Sequence, residues 1–198
     1  MSVWLWYPGV PGPGAQRAPY TPGTWAGLHV SGPARLGETS FADVRGHSFA
    51  DVPISTGRFP VVVLEPGMGL AAPQYTTLAE NLASHGYLVV GVTPTYSANL
   101  TVLNGQTVSA TAVGKPSSTD ATDEHAGPAQ ADGDRLVAVW AADDRFAAAQ
   151  ATTLNTSGRF AGRINAIRRW SGRPGRDRSE RAAWQAARPG SRRSRRNR

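Results

Sequence analysis

The chain has 198 residues, enough for one domain, and no cysteine, which excludes disulfides and thiolate metal sites and leaves the redox compartment undetermined. Its net charge of +7 hides an asymmetry: residues 1–158 carry six Arg and Lys115 against 12 acids, whereas residues 159–198 carry 14 Arg against Asp177 and Glu180. No apolar run approaches the ~20 residues of a membrane span, and MSVWLWYPG at the start lacks the basic leader, apolar stretch and cleavage site of a signal peptide.

Val3–Tyr7 is aromatic and β-branched and is stopped by Pro8-Gly9, a strand signal that begins almost at Met1. Sequence ahead of that strand is therefore expected to have been lost or mis-started. Residues 8–24 are rich in Pro and Gly and read as loop. Residues 40–55, with Phe41, Val44, Phe49, Val52 and Ile54, have the weak alternation of an edge strand or extended segment.

The clearest stretch is RFPVVVLEPGMGLAAPQYTTLAENLASHGYLVVGV, residues 58–92. Val61–Leu64 is a continuous apolar run, as in a strand buried on both faces of a parallel sheet. Pro66-Gly67-Met68-Gly69 is a turn. From Gln74 to Ser84 the residues Tyr75, Leu78, Ala79 and Leu82 fall on one helical face, and Gly86 sits where a helix stop belongs. Tyr87–Val92 is a second buried strand. Strand, turn, helix and strand in this order make a βαβ unit with parallel strands.

Thr101–Ser109 is a hairpin with Asn104-Gly105 at its turn. Residues 111–132 are polar and read as a long loop. Asp134–Leu154 is a helix whose apolar stripe is Leu136, Val139, Trp140, Ala147, Ala151 and Leu154. Asp143 and Asp144 are adjacent, so they point in different directions and are expected on solvated helix surface. Asp120, Asp123, Glu124, Asp132 and Asp134 are likewise expected to be solvated.

Several of these features together resemble the platelet-activating factor acetylhydrolase family of α/β-hydrolases. They are VWLWYPG, RFPVVVLEPGMG, QYTTLAENLASHGYLVVGV, the Asn104-Gly105 hairpin and the later RLVAVWAADDRF. The resemblance covers roughly residues 2–163. It implies an α/β fold with an incomplete hydrolase sheet, built from N-terminal strands and helices. It also implies metal-free hydrolysis of short acyl esters, including those on phospholipids, by a Ser–His–Asp triad whose oxyanion is held by backbone amides. No cofactor is implied.

By the same resemblance, one oxyanion donor lies in the turn after the first buried strand, at Gly67 and Met68 here. A glycine-flanked turn running into a helix leaves amides free, and the helix dipole favours negative charge there. Pro66 stands where His is more common in the family; the change removes a side-chain hydrogen bond but leaves the Met68 amide. A tight βα turn with no ligand is the alternative.

The nucleophile is harder to place. Gly46-His47-Ser48-Phe49-Ala50 is one letter from G-x-S-x-G, but no serine in the chain has glycine at both −2 and +2. Ser48 follows a charged segment and precedes Pro53, not a helix, so an extended surface segment is expected there. Ser84 has only Gly86. The resemblance puts the nucleophile strand near residues 165–175, where Ser171 is flanked by Arg169 and Arg173. Asp177 is the only later aspartate, and no histidine follows His125. No catalytic residue of the triad is therefore expected to be retained.

His29, His47, His85 and His125 are scattered without a metal-binding spacing, so no metal site is expected, and His85 reads as a favourable contact at a helix end. Residues 164–198 read as a disordered Arg-rich tail, and the reading frame is expected to leave the family near residue 164. An alternative is a non-enzymatic protein whose tail, with Trp170 and Trp184 among its arginines, binds nucleic acid or anionic membrane. As written the chain is expected in the cytoplasm, although the resemblance admits a secreted ancestor.

Overall fold

The computed structural model describes residues 1–27, 29–31, 38–40, 43–115 and 127–165. Ser171, Asp177, Trp170, Trp184 and the rest of the basic tail lie outside the described residues. So do Phe41, Asp120, Asp123, Glu124 and His125.

The strands are β1 (Ser2–Trp6), β2 (Arg17–Pro19), β3 (His29–Ser31), β4 (Glu38–Ser40), β5 (Arg45–Phe49), β6 (Val61–Leu64), β7 (Leu88–Thr93), β8 (Leu100–Leu103) and β9 (Gln106–Ser109). The helices are α1 (Thr76–Ser84) and α2 (Gly127–Leu154), with 3-10 turns at Gly23–Gly27, Ala72–Tyr75 and Gly158–Phe160.

The central sheet has the order β1-β7-β6. β6 and β7 are parallel, with Val61 opposite Leu88 and Leu64 opposite Gly91. β1 runs antiparallel on the other side of β7, from Ser2 opposite Thr93 to Trp6 opposite Val89. Every residue of β7 is buried. Its alternate side chains serve two separate cores, because successive strand residues point to opposite faces. Leu88, Val90 and Val92 pack with Ala147 and Ala151 of α2 and with Phe160 and Ile164. Val89 packs on the other face with Trp6, Ala72, Ala79 and Ala83. The result is a three-layer α/β/α arrangement. Each fully buried Val or Leu contributes about 1.5–3 kcal/mol, so β7 is the strand on which the layers depend.

Three expectations from the sequence are corrected by this packing. First, β6 is only half-buried along its length. An apolar run of four says that a strand is buried somewhere, but not that both neighbours are in place. Beyond β6 the described sheet continues only as one parallel bridge, Phe59 with Ile164. There the Phe59 amide donates to the Arg163 carbonyl at 2.8 Å and the Asn165 amide donates to Phe59 at 2.9 Å.

Second, α1 buries Thr76, Ala79 and Ala83, while Leu78 is exposed. The small residues lie on the sheet because Trp6 already fills the space there, so the stripe is turned away from Leu78. Third, α2 begins at Gly127, seven residues before the expected Asp134 start, and Val139 and Leu154 lie outside its buried face. Ala147 and Ala151 are its fully buried residues.

Residues 45–49 form a strand as expected, but pair with β2 in a separate two-stranded sheet rather than at the edge of the central one. β2 itself was read as loop; three residues between prolines carry too little periodicity to be seen. The β8–β9 hairpin turns at Asn104 and Gly105, both at positive φ (51° and 76°), the geometry of the expected type I′ turn. Among the described residues, no helix is long and apolar enough to cross a membrane.

Candidate active site

The turn after β6 is held from three directions. The Gly67 amide donates to the Tyr75 hydroxyl at 3.3 Å. The Leu70 amide donates to the Gly67 carbonyl at 3.0 Å, closing the turn. Gly69 is pinned to the segment after β7: its amide donates to the Ser97 carbonyl at 3.1 Å and its carbonyl accepts from Asn99 at 2.9 Å. The Met68 amide donates to no acceptor among the described residues, and the Met68 side chain is exposed. An amide without an acceptor on a pinned turn is the kind of group that can stabilise a developing oxyanion. Ala72, three residues past Gly69, donates its amide to Thr93 Oγ1 at 2.9 Å, which ties the start of the following 3-10 turn to the end of β7.

Directly before the turn stands Glu65, and facing it from α2 is Asp144. Glu65 is pushed up to about 7, first by burial, then by the charges of Asp144 and Asp143 and by a hydrogen bond with Asp144. Asp144 is also raised, by burial first and by Asp143, while the hydrogen bond with Glu65 pulls it down. Glu65 Oε1 and Asp144 Oδ1 are both buried, and neither atom has a hydrogen-bond partner among the described residues. Burial and the neighbouring negative charge both favour the protonated form of these acids. The solvated placement expected for Asp144 is thus corrected. α2 is rotated so that Asp143 and Asp144 are half-buried, and Trp140, one turn earlier, donates to Ser97 Oγ at 2.9 Å. The sequence reading took Glu65 only as the first residue of the Glu65–Gly69 turn and gave it no role of its own. The available signal was an acid that ends an apolar strand, where a charge is normally absent unless it has a partner.

Ser48 is not an elbow. It lies within β5, and its hydroxyl donates to Glu80 Oε1 at 2.7 Å. The same carboxylate oxygen accepts the amides of Ser48 and His47, each at 2.8 Å. Gly46 leaves room for this contact, since a β-carbon there would lie 2.7 Å from Glu80 Oε1 and the carboxylate would have to shift. The G-H-S spelling therefore records how β5 docks on α1. Ser48→Ala is expected to cost about 1–2 kcal/mol in a urea melt, one charge-assisted hydrogen bond, and to leave any ester turnover unchanged. Loss of turnover in that variant would restore Ser48 as a nucleophile.

One hydroxyl does lie beside an imidazole. Ser84 Oγ is 3.3 Å from His85 Nδ1. Both atoms also contact the Asn81 carbonyl, at 2.7 and 2.8 Å. A carbonyl oxygen only accepts, so Nδ1 spends its proton on it and has no lone pair for the serine. The pair sits at the C-terminal end of α1, the end remote from the Glu65–Gly69 turn. There the helix closes with Gly86 and Tyr87 amides donating to the Ala83 and Leu82 carbonyls at 3.0 and 3.2 Å. A cleft of about 640 Å³ runs alongside α1 from Thr76 to Ser84, lined by Trp4, Trp6, Tyr7, Ser48 and Glu80 among others, and its lining does not include the turn. No cluster of three or more His, Asp or Glu that could hold a metal occurs among the described residues.

No family model and no curated protein sequence matches the chain. Among solved structures it is similar to a ferulic acid esterase from Streptomyces cinnamoneus, with 29% sequence identity and a TM-score of 0.54. The likeness covers 82% of this chain and 41% of that one, so the chain spans about two-fifths of the esterase's length. The described fold is accordingly that of a hydrolase, shared with an esterase.

Proposed function

We propose that the chain carries the opening part of a carboxylic-ester hydrolase, in which the Glu65–Gly69 turn is the oxyanion cradle and Met68 its amide donor. The observation that supports this most is the likeness to an esterase over 82% of the chain. The platelet-activating factor acetylhydrolase type, with small acetyl-ester or phospholipid substrates, is our narrower reading and rests on the LASHGYLVV and LEPGMG stretches. Cradle chemistry requires a donor held where charge develops, and the pinned turn with its free amide provides one.

Attack on the ester is a separate requirement. A serine must lose its proton to a base as it adds to the carbonyl carbon, and the base must return that proton to the leaving alkoxide. Among the described residues, neither Ser48 nor Ser84 meets this need: one hydroxyl is committed to Glu80 and the other faces an imidazole nitrogen that already donates. We therefore read the chain as inactive as written, with its frame departing from the hydrolase near residue 164. That is the point at which Ile164 has just begun to pair with Phe59 beside β6.

The test is to treat the full chain with a fluorophosphonate and to follow p-nitrophenyl acetate hydrolysis alongside. The expected result is no phosphonylated serine and no turnover above buffer; stoichiometric labelling of one serine with loss of turnover would overturn the inactive reading. Sequencing the DNA across codons 155–200 tests the frame departure. It predicts a G-H-S-x-G-like segment in another frame, and its absence from all frames sinks that explanation.

A further inference from the structure

The cleft beside α1 has a lining that the Glu65–Gly69 turn does not explain. Its volume of about 640 Å³ is that of a site for a small organic molecule. Trp4 and Trp6 of β1, with Tyr7 and Tyr20, bring aromatic rings to its wall. Trp4 is half-buried and stacks on the buried Trp6. The Tyr7 hydroxyl is engaged, donating to the Val52 carbonyl at 2.9 Å and accepting from Arg159 at 3.2 Å. Tyr7 therefore offers a guest its ring and not its polar end. No lysine or arginine lines the cleft, whereas two carboxylates do, Asp51 and Glu80. Asp51 is paired with Arg159 at 3.0 Å. Glu80 is paired with no cation among the described residues.

Glu80 is held in place by neutral donors alone. Its Oε1 accepts the His47 and Ser48 amides at 2.8 Å each and the Ser48 hydroxyl at 2.7 Å. Its Oε2 has no partner among the described residues. Neutral donors fix a carboxylate without cancelling its charge. The nearest guanidinium is spent elsewhere: Arg17 lies over the Phe49 ring, 4.4 Å from the centroid, and donates to the His47 carbonyl. A fixed anion and a set of aromatic rings attract the same kind of guest, because the face of an aromatic ring is itself electron-rich. An anionic guest would be repelled, and a neutral apolar one would take water from the carboxylate and return nothing for it.

We propose that the cleft between β1, β5 and α1 binds a small organic ammonium ion with an aromatic or apolar body, Glu80 serving as its counter-ion and the β1 aromatic residues as its wall. No bond is made or broken there. The site does not rest on the ester-hydrolase reading, because its lining excludes the Glu65–Gly69 turn, and either can fail without the other.

The experiment is a heteronuclear NMR titration of the full chain with phenyltrimethylammonium, read at the Trp4 indole N–H and at the His47 and Ser48 amides that bond Glu80. The expected result is a saturable shift of these resonances with a Kd in the millimolar range or below. Tert-butylbenzene, the neutral compound of the same shape, should bind the wild type about tenfold more weakly. Glu80→Gln keeps a carbonyl oxygen for the three donors, so β5 stays docked, but it removes the charge. Its affinity for the ammonium ion should fall about tenfold while that for tert-butylbenzene is unchanged. Should Glu80→Gln fail to fold, the two ligands on the wild type decide the question. Equal affinity for the ion and its neutral counterpart, wild-type affinity for the ion in Glu80→Gln, or no saturable shift at Trp4, His47 and Ser48 overturns the site.

Discussion

Trp6→Ala is expected to lower the stability of the chain by about 3–5 kcal/mol, read as a shift of the urea midpoint by far-UV circular dichroism. Trp6 is 8% exposed and is the largest side chain in the core between the sheet and α1, against Ala72, Ala79, Ala83 and Val89. It also stacks on Trp4 with ring centroids 6.1 Å apart. The alanines of the helix and the turn have no longer side chains with which to refill the space, and Trp4 already stacks on the ring from one side. The cavity term should thus remain nearly whole. A total stability of about 5–15 kcal/mol is ordinary for a domain, so this one change can remove most of it. A shift corresponding to less than about 1 kcal/mol would show that the α1 layer collapses onto the sheet without the indole.

Gly91→Val is expected to be nearly as damaging, at about 3 kcal/mol, by the opposite mechanism of overpacking. Gly91 lies in the middle of β7, where a β-carbon would come within 2.7 Å of Trp6 Cζ3 and 3.0 Å of Ala72 Cβ. Neither neighbour can move freely: the indole is rigid and enclosed, and Ala72 is tied to Thr93. Because the clash is with the indole, the two changes should not add. The Trp6→Ala/Gly91→Val double variant should cost about 1–2 kcal/mol less than the sum of the singles, since the valine enters the space the ring has left. Additivity within about 0.5 kcal/mol would place the clash elsewhere. The same contact reaches the candidate site, because Ala72 lies only three residues past the Pro66–Gly69 turn.

Strands of strong and continuous apolar character were legible in the sequence almost to the residue. β1, β6 and β7 fall within one residue of their expected bounds, and the Asn104-Gly105 turn and the stop at Gly86 lie where those residue types place them. Each of these signals is local: a run of β-branched residues, a dipeptide that tolerates positive φ, a glycine after a helical period. The errors were of phase and partnership. The helical period around residues 75–82 was real, but which arc of α1 would be covered depended on Trp6, some 70 positions earlier in the chain and brought alongside only by β1 pairing with β7. The segment around Ser48 was read correctly as extended, but its docking on α1 through Glu80 could not be seen in the sequence.

Residue types and their spacing by themselves determined the βαβ unit, its parallel strands and the turn that presents Met68, because those follow from the chain's own neighbours. Only the tertiary structure decided what Glu65 and Asp144 are. Alone, each is an unremarkable acid, one at a strand end and one on a helix. Partly withdrawn from water and under neighbouring negative charge, both hold their protons more tightly than free acids do, since ionisation depends on the surroundings that folding supplies and not on the residue that carries the charge.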